Sequence, residues 1–199
     1  MPITINGTGT ITGVSVGGLP DGIVDTDMLA TSAVTNAKIA SGNGGQILQV
    51  KQTVKTDTFS TTSTSFADVT GLSVAITPSS TSSKILVIYD VKASCGNIQI
   101  AFALLRDSTQ IYLGDAAGSN RIRAASTIGS TGTGTSEARN PQGTVAVFLD
   151  SPATTSETTY KIQAQVNQGT GYVNRSEDDA DQVYRARVPS SITVMEVAA

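Results

Sequence analysis

From Ile47 onward, hydrophobic and polar positions alternate along most of the chain. In KILVIYDVKA (84–93), Ile85, Val87, Tyr89 and Val91 share one face of an extended segment, and Leu86, Ile88, Asp90 and Lys92 share the other. That period of two marks a β-strand. NIQIAFALLRDSTQIYLGD repeats the pattern through Ile98, Ile100, Phe102 and Leu104, turns at RDSTQ, and returns through Ile111 and Leu113. Further strands are expected in ILQVKQTVK, LSVAIT, TVAVFLD, YKIQAQVN and SSITVMEVA. In YKIQAQV the division is cleanest, with Tyr160, Ile162, Ala164 and Val166 inward and Lys161, Gln163 and Gln165 outward. Loops rich in Ser, Thr, Gly and Pro separate these runs, and no long helical pattern interrupts them. The fold class expected for residues 46–199 is therefore mainly β, an antiparallel β-sandwich or jelly roll.

The first 45 residues read differently. Residues 1–23 alternate only weakly, through Ile3, Ile5, Ile11, Val14 and Val16, and end in the turn cluster GGLPDG. They are too short for a core of their own and read as an extended arm. Residues 24–45 hold a ten-residue phrase stated twice, VDTDMLAT and then VTNAKIAS, followed by the Gly-rich hinge SGNGG. Each copy offers two larger apolar side chains, Val24 and Leu29, then Val34 and Ile39. One chain cannot bury so little surface by itself, and a solenoid normally needs three or more units. Three chains around an axis can bury it. The expected arrangement is a short trimeric neck with Val24, Leu29, Val34 and Ile39 inward and Asp25, Asp27, Thr35 and Lys38 in water.

Composition agrees with a β-rich chain. The 28 Thr and 22 Ser make 50 of 199 residues small hydroxyls, while charged residues are only 15%. A formal net charge of −3, with 6 Lys and 7 Arg scattered and never in a run, argues against nucleic acid as a partner. No segment approaches the ~18 uninterrupted apolar residues of a membrane span, and MPITINGTGTIT lacks the basic start and apolar stretch of a secretion signal. The expectation is a soluble, cytosolically made protein with no membrane insertion. Its one cysteine, Cys95, cannot pair within the chain, so robustness must come from packing or oligomerisation.

Candidate chemistry is sparse. With no histidine, a Ser-His-Asp triad, a Cys-His dyad and any His-containing metal site are excluded. Nothing near Cys95 would lower a thiol pKa, so a buried structural cysteine is the expectation. GTGTITG (7–13) and GSTGTGT (129–135) lack the spacing and the strand-helix setting of phosphate-binding loops and read as plain loops. One dense charge cluster remains, NRSEDDADQVYRAR (174–187). Its carboxylates Glu177, Asp178, Asp179 and Asp181 suit a hard cation or a ligand contact, or form a solvated loop balanced by Arg185 and Arg187. With Tyr172 and the donors Asn174 and Arg175, this segment is the candidate contact loop for a polar partner such as a surface glycan. No catalytic residue, cofactor or metal ligand set is expected.

The stretch ITINGTGTITGVSVGGLPDGIVDTDMLATSAVTNAKIASG, followed by GQILQV and closed by SSITVMEV, resembles small fibre proteins of tailed bacteriophages. Their stalks carry AVTxAKIA-type repeats, matched here by Ala33 through Ala40. The resemblance implies a homotrimer in the virion, made in the host cytoplasm. Residues 1–23 would be the virion-attachment arm, 24–45 the neck and hinge, and 46–199 a knob similar to the trimeric jelly rolls of the complement and tumour-necrosis-factor type. Arm partners would be other virion proteins, of the tail or of the capsid. The implied task is non-enzymatic attachment to a host-surface glycan. A head fibre or capsid decoration is the nearest alternative, ahead of a carbohydrate-cleaving tail spike or a free lectin.

Overall fold

The computed structural model of the chain describes residues 46–96, 98–129 and 140–198. The arm, the proposed neck residues Val24, Leu29, Val34 and Ile39, and all of GSTGTGT after Gly129 lie outside the described residues. Within them the chain forms eleven strands and no helix. In chain order these are β1 (Ile47–Lys55), β2 (Phe59–Thr61), β3 (Ala67–Ile76), β4 (Lys84–Cys95), β5 (Gln99–Arg106) and β6 (Thr109–Ile111). Then follow β7 (Ser126–Gly129), β8 (Gln142–Asp150), β9 (Thr158–Val166), β10 (Gly171–Val173) and β11 (Ser190–Val197).

All pairings are antiparallel, and four of them nest: β1 with β11, β3 with β9, β4 with β8, and β5 with β7. The nested ribbon is folded into two sheets by the lateral pairings of β11 with β4 and of β9 with β5. The first sheet runs β1-β11-β4-β8, and the short strands β10 and β2 extend it beside the far end of β4. The second runs β3-β9-β5, with β6 and β7 sharing the other edge of β5. The molecule is thus a mainly-β antiparallel sandwich, as the alternation leads one to expect.

The core lies between the sheets. Ile85, Val87, Tyr89 and Val91 of β4 meet Phe102 and Leu104 of β5 and Tyr160, Ile162 and Ala164 of β9 in one buried cluster. Buried polar groups tie the layers: the Tyr89 hydroxyl donates to Ser126 Oγ at 2.8 Å, and Tyr160 donates to Asp150 at 2.6 Å. The RDSTQ turn is a tight hairpin in which Arg106 faces Thr109 and Asp107 takes a φ of 54°. Two-residue hairpins need positive φ at the turn, and Asp tolerates it. β3 carries an irregularity between Asp68 and Ser73, where Gly71 at φ 79° lets the backbone bulge while Val69 and Leu72 stay buried.

Three sequence expectations shift here. Ile98 precedes β5 instead of opening it and is 60% exposed. Leu113 lies past the end of β6. The strands β2, β7 and β10 have three or four residues each, too few to show a period.

A buried acid pins one edge of the first sheet. Glu196 on β11 is fully buried and accepts from Gln49 Nε2 at 2.6 Å, Ser79 N at 2.7 Å and Ser79 Oγ at 2.6 Å. Burial alone pushes this carboxyl up, but the donors from Gln49 and Ser79 outweigh it and lower the pKa from 4.5 to about 2. A depressed folded-state value means the carboxylate stabilises the fold at neutral pH. The contribution is whole above pH 4.5 and is lost as the pH falls from 4.5 toward 2. Glu196→Gln should therefore lose up to about 3 kcal/mol at pH 7, with its deficit relative to wild type shrinking as the pH drops through that window. Urea midpoints of the two proteins at pH 7, 4 and 2.5 check this.

Candidate functional site

Strand pairing aligns the outward side chains of the first sheet into rows. Val50, Met195, Leu86 and Leu149 stand abreast on β1, β11, β4 and β8. The next row is Gln52, Thr193, Ile88 and Val147, and the third is Val54, Ser191, Asp90 and Val145. Five of these aliphatics, Val50, Val54, Val145, Val147 and Leu149, are each more than half exposed.

The two flanking strands carry aliphatics on their outward positions. On β1 the positions alternating with Val50 and Val54 are the polar Gln49, Lys51, Thr53 and Lys55, of which Lys55 is buried and Lys51 exposed. On β8 the outward residues are Val145, Val147 and Leu149, and the inward ones are Thr144, Ala146, Phe148 and Asp150. An antiparallel sheet with one solvated face normally shows the reverse. Single exposed aliphatics are ordinary, but a contiguous apolar sheet face marks an interaction surface. Its charges sit at its two ends: at one, Lys92 pairs with Asp90. At the opposite end the Lys84 ammonium donates to Ser151 Oγ at 2.8 Å. The middle row, Gln52, Thr193, Ile88 and Val147, holds no charge that desolvation would strand.

The predicted contact loop is more built than a solvated loop. Tyr172 belongs to β10, between Ser60 and Ser94, and that register puts it on the outward side of the first sheet beyond Lys92. The Arg175 guanidinium sits 4.1 Å from the centre of the Tyr172 ring and 3.6 Å from Asp179. Asp179 also takes Arg187 at 2.6 Å, and that hydrogen bond, more than any other influence, holds its carboxyl below the usual range. Asp178 pairs with Arg185 at 2.9 Å, and the Arg185 guanidinium covers the Tyr184 ring at 4.7 Å. Glu177 turns toward Gly96, where even a methyl group would collide with its carboxylate. Asp181 is exposed and forms no ion pair among the described residues.

Asn174 departs from the expected placement. It is fully buried at φ 66°, donates to the carbonyls of Lys55 at 2.8 Å and Asp57 at 2.9 Å, and accepts from Ser190 Oγ at 2.6 Å. Such an amide fastens the end of β1 to β11 and β10 and is out of reach of an external partner. A surface role is left to Tyr172, Arg175 and the carboxylates. Among the described residues no three His, Cys, Asp or Glu side chains converge as a metal site. Cys95 is buried with its Sγ 3.7 Å from the Ile128 carbonyl oxygen, and burial pushes its thiol pKa up.

The outward aliphatics of β1 and β8 were visible as residues in ILQVKQTVK and TVAVFLD. What no sequence pattern assigns is which alternate face looks out, because that depends on which neighbours flank each strand. No protein-family model matches this chain, and no curated protein matches its sequence.

Proposed function

We propose that this chain is the knob-bearing subunit of a homotrimeric bacteriophage virion fibre, a non-enzymatic structural protein that attaches the particle to the host surface. The observation that carries the reading is the outward aliphatic face of the first sheet. The four nested pairs, split into β1-β11-β4-β8 and β3-β9-β5-β7, correspond to a jelly-roll order. Such a sandwich is closed by one core and gains nothing from aliphatics on its outer side. Copies of itself are the fitting occupant, because the face is largely aliphatic, carries no charge in its middle row and is repeated identically on every chain. Continuity in sequence argues for the same partner. β1, which carries Val50 and Val54, follows directly on residues 24–45, whose Val24, Leu29, Val34 and Ile39 also need other chains to cover them.

In this reading residues 1–23 hold the trimer to the tail or capsid, and the knob presents its second sheet and its loops to the cell. Antibodies raised against the purified chain test the virion assignment. Gold-labelled, they should mark phage particles at a fixed position in electron micrographs, and the chain should remain with particles through density-gradient purification. Particles that neither bind the antibody nor retain the chain would defeat it.

A further inference from the structure

A groove of about 570 Å³ opens on the outward side of the second sheet, opposite the aliphatic face. Gln165 of β9 lies across Ala101 of β5, and Gln99 stands at the start of β5 on the same side. The segment bearing Asn120, Arg121 and Ile122 forms one wall, and Asn167, just past β9, belongs to the other. Both walls are anchored in the backbone. Arg123 Nε donates to the Gly114 carbonyl at 2.7 Å, and Ala125 N donates to the Phe102 carbonyl at 2.8 Å. Across the groove, Val166 N donates to the Ser63 carbonyl at 2.9 Å.

Gln165 is the telling residue. It is 6% exposed, lines the groove, and its side chain makes no hydrogen bond with another described residue. Among the described residues the buried side-chain groups without a partner are Ser83 Oγ and Ser176 Oγ, so the Gln165 amide is not sealed in the interior; it opens to the groove, where it can donate to and accept from a ligand. The remaining lining defines that partner. Four amides, from Gln99, Asn120, Gln165 and Asn167, set donors beside acceptors, which is what the adjacent hydroxyls of a sugar require. Arg121 adds a planar cation that forms no ion pair with another described residue, and no carboxylate lines the groove. That excludes a metal cation and favours a negatively charged group. The volume falls within the ~300–1,000 Å³ of small-ligand sites.

We infer that this groove is a binding site for an acidic saccharide, with Gln165 and the neighbouring amides reading hydroxyls and Arg121 reading a carboxylate. The site deepens the attachment reading and rests on it for its biological role. Because it lies on the sheet opposite the assembly face, it stays open in the assembled protein.

Saturation-transfer NMR on the full-length chain tests the inference with two probes, a galacturonate trisaccharide and maltotriose. The uronate should receive saturation and bind more tightly than maltotriose. Its apparent affinity should fall about tenfold in Gln165→Leu, which is close in size, and about tenfold in Arg121→Ala. The arginine change should leave maltotriose binding as it was. Arg121 is exposed, so that variant keeps its fold and carries the test even where Gln165→Leu does not fold. Absence of saturation for both probes, equal affinity for the two, or an Arg121→Ala protein that binds the uronate like wild type would overturn it. Particle labelling and solution mass do not involve the groove, so a failure here leaves the virion reading standing and is recognisable as its own.

Discussion

Val147→Asp should turn the proposed trimer into folded single chains. Val147 lies mid-face, next to Ile88 and flanked along β8 by Val145 and Leu149, and it is 53% exposed in the isolated chain. In one chain the aspartate meets water, and the cost is limited to a strand-propensity loss of about 1 kcal/mol or less. In the assembly each copy would bring an unpaired carboxylate into a desolvated surface, at several kcal/mol per ion. The penalty is multiplied by the number of chains. Light scattering should report a single-chain mass for Val147→Asp, while its circular dichroism and cooperative unfolding persist. Val147→Thr, of similar shape and without a charge, is the control and should disturb assembly less.

The second large effect is expected inside the sandwich. Asp150 closes β8 at 5% exposure and joins the two sheets: Arg106 Nη1 donates to both of its oxygens at 2.9 Å, and the Tyr160 hydroxyl donates at 2.6 Å. Arg106 and Tyr160 belong to β5 and β9 of the second sheet, while Asp150 belongs to the first. Burial, reinforced by the hydrogen bond to Asp150, pushes the Tyr160 hydroxyl pKa up, so it remains a neutral donor. Asp150→Ala leaves a guanidinium with its carboxylate removed and a buried hydroxyl without an acceptor. Removing one partner of such a pair costs about 3–5 kcal/mol, most of it from the group left behind. Asp150→Asn keeps an acceptor for Tyr160 and should cost less. Guanidinium chloride midpoints at pH 7 give both numbers, and equal midpoints for wild type and Asp150→Ala would show that the triad does not hold the sheets together.

How far the sequence reaches is seen by following particular residues. The inward set Ile85, Val87, Tyr89 and Val91 could be read because one face of β4 packs on the core and a period of two survives across its length. Tyr160, Ile162, Ala164 and Val166 were legible for the same reason. Ile98 misled because an apolar residue one step before a strand keeps the period while pointing into water. Asn174 misled for the opposite reason: a polar residue amid charges suggests surface, yet its amide satisfies the carbonyls of Lys55, at the end of β1, and of Asp57 just beyond it, more than a hundred residues away. Gln165 reads correctly as outward on its strand. Its burial depends on the wall formed by residues 120–122, a contact between distant segments that no local pattern encodes. The outward aliphatic face escaped for the same kind of reason, since it is built from β1, β11, β4 and β8, which are far apart in the chain.

The claim on which the functional reading rests is self-association through the first sheet. Sedimentation equilibrium of the full-length chain at micromolar concentration measures it most directly. The account predicts a single species of three times the 20.4 kDa chain mass. A species of 20.4 kDa that persists as the concentration is raised would contradict it.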